Sequence, residues 1–185
     1  MRKKTPRYSK PNIKSKKIKS NFFYSKRMYD GEDLLAGLMD VRILARSGSC
    51  SCFPDSTKVL LPDNNTKSIK DIKEGDVVSS YDLTEKRLTE SRVMEQIIHL
   101  DAKVQYFIIN GNIKTTAEHP FWVNGKSWIR AHQIKVGDWL LTPTGEKVEI
   151  SDIDSYSAVE TVYNLELEGD EHNYFAENVL VHNQR

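Results

Sequence analysis

The chain has 185 residues, 38% hydrophobic and 29% charged, which suits one globular domain with an appendage and leaves no apolar run near the ~18 residues of a membrane span. Its basic N-terminus is not followed by an apolar stretch, so it does not read as a secretory signal, and two cysteines, Cys50 and Cys52, make no disulfide framework and suit a reducing, cytoplasmic setting. The net charge of +1 conceals an asymmetry, because residues 1–51 hold 13 basic and 4 acidic residues and the remainder holds 14 and 22. A basic arm joined to an acidic domain is expected, with the boundary just before Cys52.

In chain order, residues 1–27 carry eleven Lys+Arg and no acid. With little to bury, this arm is expected to stay disordered in isolation. Tyr8, Phe22, Phe23 and Tyr24 among the cations admit contact with nucleic acid, against the plainer reading of a solvated tail. Over 28–51, Leu34, Leu35, Leu38, Val41 and Leu44 lie near helical spacing behind Asp30, Glu32 and Asp33, and Ser47-Gly48-Ser49 reads as a joint. From Cys52 onward the texture is β. Strands are expected over 57–61, 76–81, 92–99, 104–109, 121–123, 138–142, 159–167 and 179–181, with turns at Asn110-Gly111, Asn124-Gly125 and Pro143-Thr144-Gly145. Ile72-Lys73-Glu74-Gly75-Asp76-Val77-Val78 returns 62 residues later as Ile134-Lys135-Val136-Gly137-Asp138-Trp139-Leu140, which suggests two similar β halves. The expected division is a basic arm (1–27), a helix and joint (28–51), an all-β domain (52–183) and a two-residue tail (184–185).

Four signals occur in order along the β domain. Cys52-Phe53 opens it, Thr116-Ala117-Glu118-His119-Pro120-Phe121 stands mid-way, Val162-Tyr163-Asn164-Leu165-Glu166-Leu167 precedes His172-Asn173-Tyr174-Phe175, and Val179-Leu180-Val181-His182-Asn183 closes it. Together they resemble the Hint superfamily of inteins, bacterial intein-like domains and hedgehog autoprocessing domains, over all of 52–183. The resemblance implies a compact, horseshoe-like, pseudo-two-fold all-β fold and autocatalytic processing of flanking peptide bonds. No cofactor or metal is implied, and Cys-x-Cys without a second pair is a poor metal site. A monomer acting once, in cis, on its own flanking segments is expected.

The groups themselves account for such chemistry. The Cys52 thiol can attack the Ser51 carbonyl through a five-membered ring and convert the peptide bond to a thioester, an N–S acyl shift. The departing nitrogen needs a proton, which an imidazole such as His119 can supply while Thr116 holds the peptide by hydrogen bonding. The Asn183 side-chain amide can attack its own carbonyl, close a succinimide and release Gln184. Stabilising that oxyanion and protonating the leaving nitrogen are the parts the resemblance gives to His172 and His182.

Gln184 departs from the splicing pattern, which needs Cys, Ser or Thr after the terminal Asn, so two separate cleavages are expected, with ligation by direct attack of the freed Gln184 amine on the thioester a secondary route. Where many inteins carry Asp, this chain has Asn164, and any assisting carboxylate is lost. No long insertion separates the halves, which excludes a homing endonuclease. With only Gln184-Arg185 beyond the second junction, the useful event is either release of residues 1–51 or processing of a longer precursor. A Cys50–Cys52 disulfide would block the nucleophile, whereas the plain reading of Cys50 is a bystander on the joint. His99 and His132 lack motif context, and Trp122, Trp128 and Trp139 read as packing aromatics. Two rivals stand beside self-processing: an inactive Hint scaffold serving as a binding module, and a nucleic-acid-binding arm that the domain merely releases. Sterol transfer of the hedgehog kind is disfavoured, because the terminal His-Asn fits asparagine cyclisation.

Overall fold

The computed structural model describes residues 50–183. The basic arm, nearly all of the expected helix and joint, and the tail at 184–185 lie outside the described residues. Within them the chain is all β apart from two single-turn 3-10 segments. Its spine is a long antiparallel ribbon of β5 (Arg87–Ile109) and β11 (Ile153–Leu167), which pair from Ile109↔Ile153 to Val93↔Leu167. The runs at 92–99 and 104–109 belong to one strand. Between them Leu100 and Asp101 stand opposite the single residue Thr161, and Asp101 turns to φ +47°. A bulge of this kind breaks the two-residue alternation without ending the strand, which is why the sequence suggests a gap.

One sheet runs β1 (Phe53–Pro54), β11, β5 and β4 (Val77–Asp82), with β6 (Ile113–Thr116) also on β5. Asn110 and Gly111, both in the left-handed region at φ +51° and +70°, reverse the chain between β5 and β6. A second sheet has the order β3 (Thr66–Ser68), β2 (Lys58–Leu60), β12 (Asn173–Ala176), β13 (Val179–His182), β7 (Pro120–Trp122) and β8 (Trp128–Arg130). A separate pair joins β9 (Trp139–Leu141) to β10 (Lys147–Glu149). Six of these strands, β1, β3, β6, β8, β10 and β12, lie outside the expected set. Most are two or three residues long, too short to show a period.

The internal repeat is deeper in the backbone than in the sequence. Gly75 and Gly137 adopt φ +87° and +89°, a conformation that penalises any Cβ. Their N–H groups donate to Val93 and Ile150 carbonyls, both at 2.8 Å. Asp76 and Asp138 each accept from the backbone three residues earlier, Lys73 at 2.9 Å and Lys135 at 3.0 Å. Lysines meet them from the side, Lys67 at 2.7 Å and Lys126 at 2.6 Å. The same 62-residue offset continues upstream, where Ile69 N–H donates to the Thr57 carbonyl and Ala131 N–H to the His119 carbonyl. Thr57 N–H to Pro54 O and His119 N–H to Thr116 O, both 3.2 Å, complete the match. His119 therefore occupies the place that Thr57 holds in the first half.

The main core gathers Phe53, Ile72, Phe121, Ile134, Leu165 and Tyr174, all buried, and removal of their apolar surface from water is the dominant stabilising term. A buried amide ties β4 to β12: Asn173 Oδ1 accepts from Ser80 Oγ and Tyr81 N–H, and its Nδ2 donates to the Tyr81 carbonyl. No helix among the described residues is long and apolar enough to cross a membrane.

Candidate functional site

The N-terminal junction is held from both sides. Phe53, wholly buried, pairs with Tyr163 at the edge of the ribbon and fixes the chain immediately after Cys52. Cys52 N–H donates to Thr116 Oγ1 at 2.7 Å, the same hydroxyl donates to the Cys50 carbonyl at 2.6 Å, and Thr116 N–H donates to the Cys52 carbonyl at 3.0 Å. One threonine at the end of β6 thus brackets the Ser51–Cys52 bond. The Ser51 hydroxyl donates to the Glu118 carbonyl at 3.1 Å, and the Ser51 carbonyl accepts from Asn164 Nδ2 at 2.6 Å.

Cys50 and Cys52 are both free and buried, and they share a small apolar cluster with Ala102, Val104, Tyr106 and Val162. Cys50 is therefore no exposed bystander. The Cys50 thiol beside it, then burial, hold the Cys52 thiol well above the usual range, while hydrogen bonding from Cys52 lowers that of Cys50. The attacking species in a thioester step is the thiolate, so the Cys52 proton has to leave as the sulfur adds.

His119 lies between the junctions. Its ring is completely buried and packs against Phe53, with centroids 4.2 Å apart. Neither ring nitrogen completes a hydrogen bond, although the Ser51 and His182 backbones lie close enough to favour the charged form. Burial dominates and pushes the imidazole down to about 3, so it is neutral at physiological pH. Between about 3 and 6.5 the unfolded chain then binds a proton that the folded one does not, and stability falls as pH is lowered through that window. The slope from this residue approaches a factor of ~10 in the folding equilibrium per pH unit. Urea unfolding of His119→Gln across this range should show a shallower loss than the parent, and equal slopes would count against a buried neutral ring.

The C-terminal junction ends a hairpin. Glu177 and Asn178, at φ +48° and +61°, form the two-residue reversal that matches strand twist, and β13 then lies beside β7 through Val181↔Phe121. His182 Nδ1 is 2.6 Å from the Asn183 carbonyl oxygen. The Asn183 N–H donates to the His172 carbonyl at 2.8 Å. Its surroundings orient the side chain so that Nδ2 also donates to the His172 carbonyl at 2.8 Å while Oδ1 accepts from Leu167 N–H at 3.0 Å. The rings of His172 and His182 stack with centroids 6.3 Å apart, and Trp128 meets His182 edge-on at 4.9 Å.

Cys52, Thr116 and His119 thus gather at the first junction, and His172, His182 and Asn183 at the second, with His119 facing backbone from both. The chief omission of the sequence reading is the carboxamide of Asn164 on the Ser51 carbonyl. Tyr174, whose hydroxyl donates to Asn164 Oδ1 at 3.1 Å, escapes it as well. His132 serves locally, with Nδ1 2.9 Å from the Ala117 carbonyl. Trp122 and Trp128 pack edge-on at 5.3 Å, whereas Trp139 is exposed at the start of its strand and is no core aromatic. Among the described residues no group of three or more His, Cys, Asp or Glu side chains could hold a metal ion.

A family model for the pretoxin Hint domain matches residues 60–184. Among solved structures, a bacterial intein-like domain from Clostridium thermocellum is 31% identical, with a TM-score of 0.66 over 73% of this chain and 100% of that one. A DnaB intein from Synechocystis sp. PCC 6803 (19% identity, TM-score 0.62, 74% of this chain and 100% of that one) shares the fold. So does the gp41-1 intein (20%, 0.57, 72% and 98%). No curated protein matches. The ordered junction motifs, the duplicated all-β fold and these likenesses agree, and the chain belongs to the pretoxin Hint family, within the superfamily of inteins and bacterial intein-like domains.

Proposed function

We propose that this domain cuts its own backbone at Ser51–Cys52 and at Asn183–Gln184, once per molecule. The observation that carries this reading is His119, a buried neutral imidazole set against backbone from both junctions. At the first, the Cys52 sulfur adds to the Ser51 carbonyl carbon while His119 takes the thiol proton. The C–N bond then breaks, and His119 returns that proton to the Cys52 nitrogen, whose N–H already points at Thr116 Oγ1. Tethering of this kind is worth effective molarities of ~10⁵–10⁸ M, and a positioned acid-base group a further ~10²–10⁴-fold. Water hydrolyses the thioester, leaving a carboxylate on Ser51 and a free thiol on Cys52. A reducing, cytoplasmic setting keeps that sulfur available.

At the second junction the His172 carbonyl, 2.8 Å from Asn183 Nδ2, orients the amide. Nδ2 bonds to its own carbonyl carbon, and the proton it gives up passes through the neighbouring imidazoles of His172 and His182 to the departing nitrogen. His182 stabilises the carbonyl oxygen it already touches. The bond to Gln184 breaks, and the nitrogen of Gln184 gains a proton. Gln184 offers no thiol or hydroxyl, so no branched ester forms and cleavage prevails, with ligation through the freed Gln184 amine a minor route. Intact-mass analysis of freshly purified protein, with and without dithiothreitol, tests the reading. Masses of 1–51 and 52–183 are expected, with thiol accelerating the first break. A full-length mass that persists through prolonged incubation with thiol would instead indicate an inert scaffold.

A further inference from the structure

We infer that Asn164 is a catalytic residue of the first cleavage, its carboxamide stabilising the oxyanion that forms on the Ser51 carbonyl, and that Tyr174 is its positioning residue. This rests on the proposed thioester step. Asn164 Nδ2 already donates to that oxygen at 2.6 Å, short for an N–H···O bond, and the side chain is wholly buried. When the Cys52 sulfur adds, the carbonyl π pair moves onto this oxygen. Collapse restores the carbonyl and expels the Cys52 nitrogen, which takes a proton. A fixed donor in a buried site lowers the energy of the charged intermediate more than that of the neutral peptide.

The amide cannot turn round without loss. Its Oδ1 accepts both Leu165 N–H at 2.8 Å and Tyr174 O–H at 3.1 Å, so reversal would set Nδ2 against the Leu165 N–H donor and Oδ1 against the Ser51 carbonyl acceptor. An ionised carboxylate at this position would set negative charge against the developing oxyanion. The amide donates at every pH. The substitution that seemed to cost this chain a helper therefore supplies an electrophile.

The tests use the full chain and follow both breaks by intact mass. Asn164→Ala should slow thiol-induced cleavage at Ser51–Cys52 by ~10²–10³-fold while cleavage at Asn183–Gln184 keeps its rate and reports a folded domain. Asn164→Asp should be slow at neutral and alkaline pH and recover as pH falls and its carboxyl regains a donating proton, a dependence absent from the parent. Tyr174→Phe should slow only the first break, by ~10-fold. The inference is overturned if Asn164→Ala cleaves at the parental rate, if Asn164→Asp is equally impaired at all pH values, or if both breaks slow together. A parent that forms no thiol-cleavable intermediate overturns it along with the proposed function, whereas a parent that cleaves and an unaffected Asn164→Ala defeat this inference alone.

Discussion

Cys52→Ala protein is expected to retain residues 1–51 through days of incubation with dithiothreitol, while cleavage after Asn183 continues. The local geometry makes the first loss nearly complete. A five-membered approach to the Ser51 carbonyl requires a nucleophile on the following side chain, and alanine has none. The Ser51 hydroxyl is bonded to the Glu118 carbonyl and would have to close a four-membered ring on its own carbonyl. Cys50 would need a seven-membered ring that breaks the Thr116 bracket. Losing the tether forfeits ~10⁵–10⁸ M of effective concentration, so the rate should fall below detection. Because Cys52 is buried, urea unfolding should accompany the assay to show that the variant stays folded. Release of residues 1–51 at the parental rate would remove the thiol from the mechanism.

Asn183→Ala is expected to abolish the second break with comparable completeness. Succinimide closure needs a side-chain amide one methylene from the backbone carbonyl, and no other group can form that ring. The variant should yield a species spanning 52–185 after thiol treatment, heavier than the parental succinimide by Gln184, Arg185 and one water less the side-chain difference. His182→Ala, which keeps the amide but removes the group 2.6 Å from the carbonyl oxygen, should retain slow cleavage, reduced by ~10²–10³-fold. Fragments ending at residue 183 from the Asn183→Ala protein would mean hydrolysis by another route.

Residues whose proposed role follows from their place in the chain were legible from the sequence. A thiol opening the domain, an amide closing it and imidazoles placed to serve as proton carriers are recognisable because the reactions are local to the junctions. Asn164 and Tyr174 are placed by strand register instead. Tyr163↔Phe53 at the end of β1 brings Asn164 to Ser51, 113 residues away, and the neighbouring positions along the chain do not announce it. The repeat shows a similar limit. Seven residues declare it around Gly75 and Gly137, whereas the equivalence of Thr57 and His119 survives only in hydrogen bonds between main-chain atoms. The continuity of β5 was hidden by one bulge at Asp101, and strands such as β1 and β3 present too few side chains for alternation to register.

The order of the second sheet carries a consequence for timing. Strands from the first half, β3 and β2, and from the second half, β7 and β8, connect there only through the terminal hairpin of β12 and β13. A nascent chain still short of residue 173 lacks the centre of that sheet, the backbone of His182 and the tyrosine that steadies Asn164. The proposed scission is thereby tied to completion of the domain: the blade is assembled last, only once residues 173–183 have joined the two halves of the sheet.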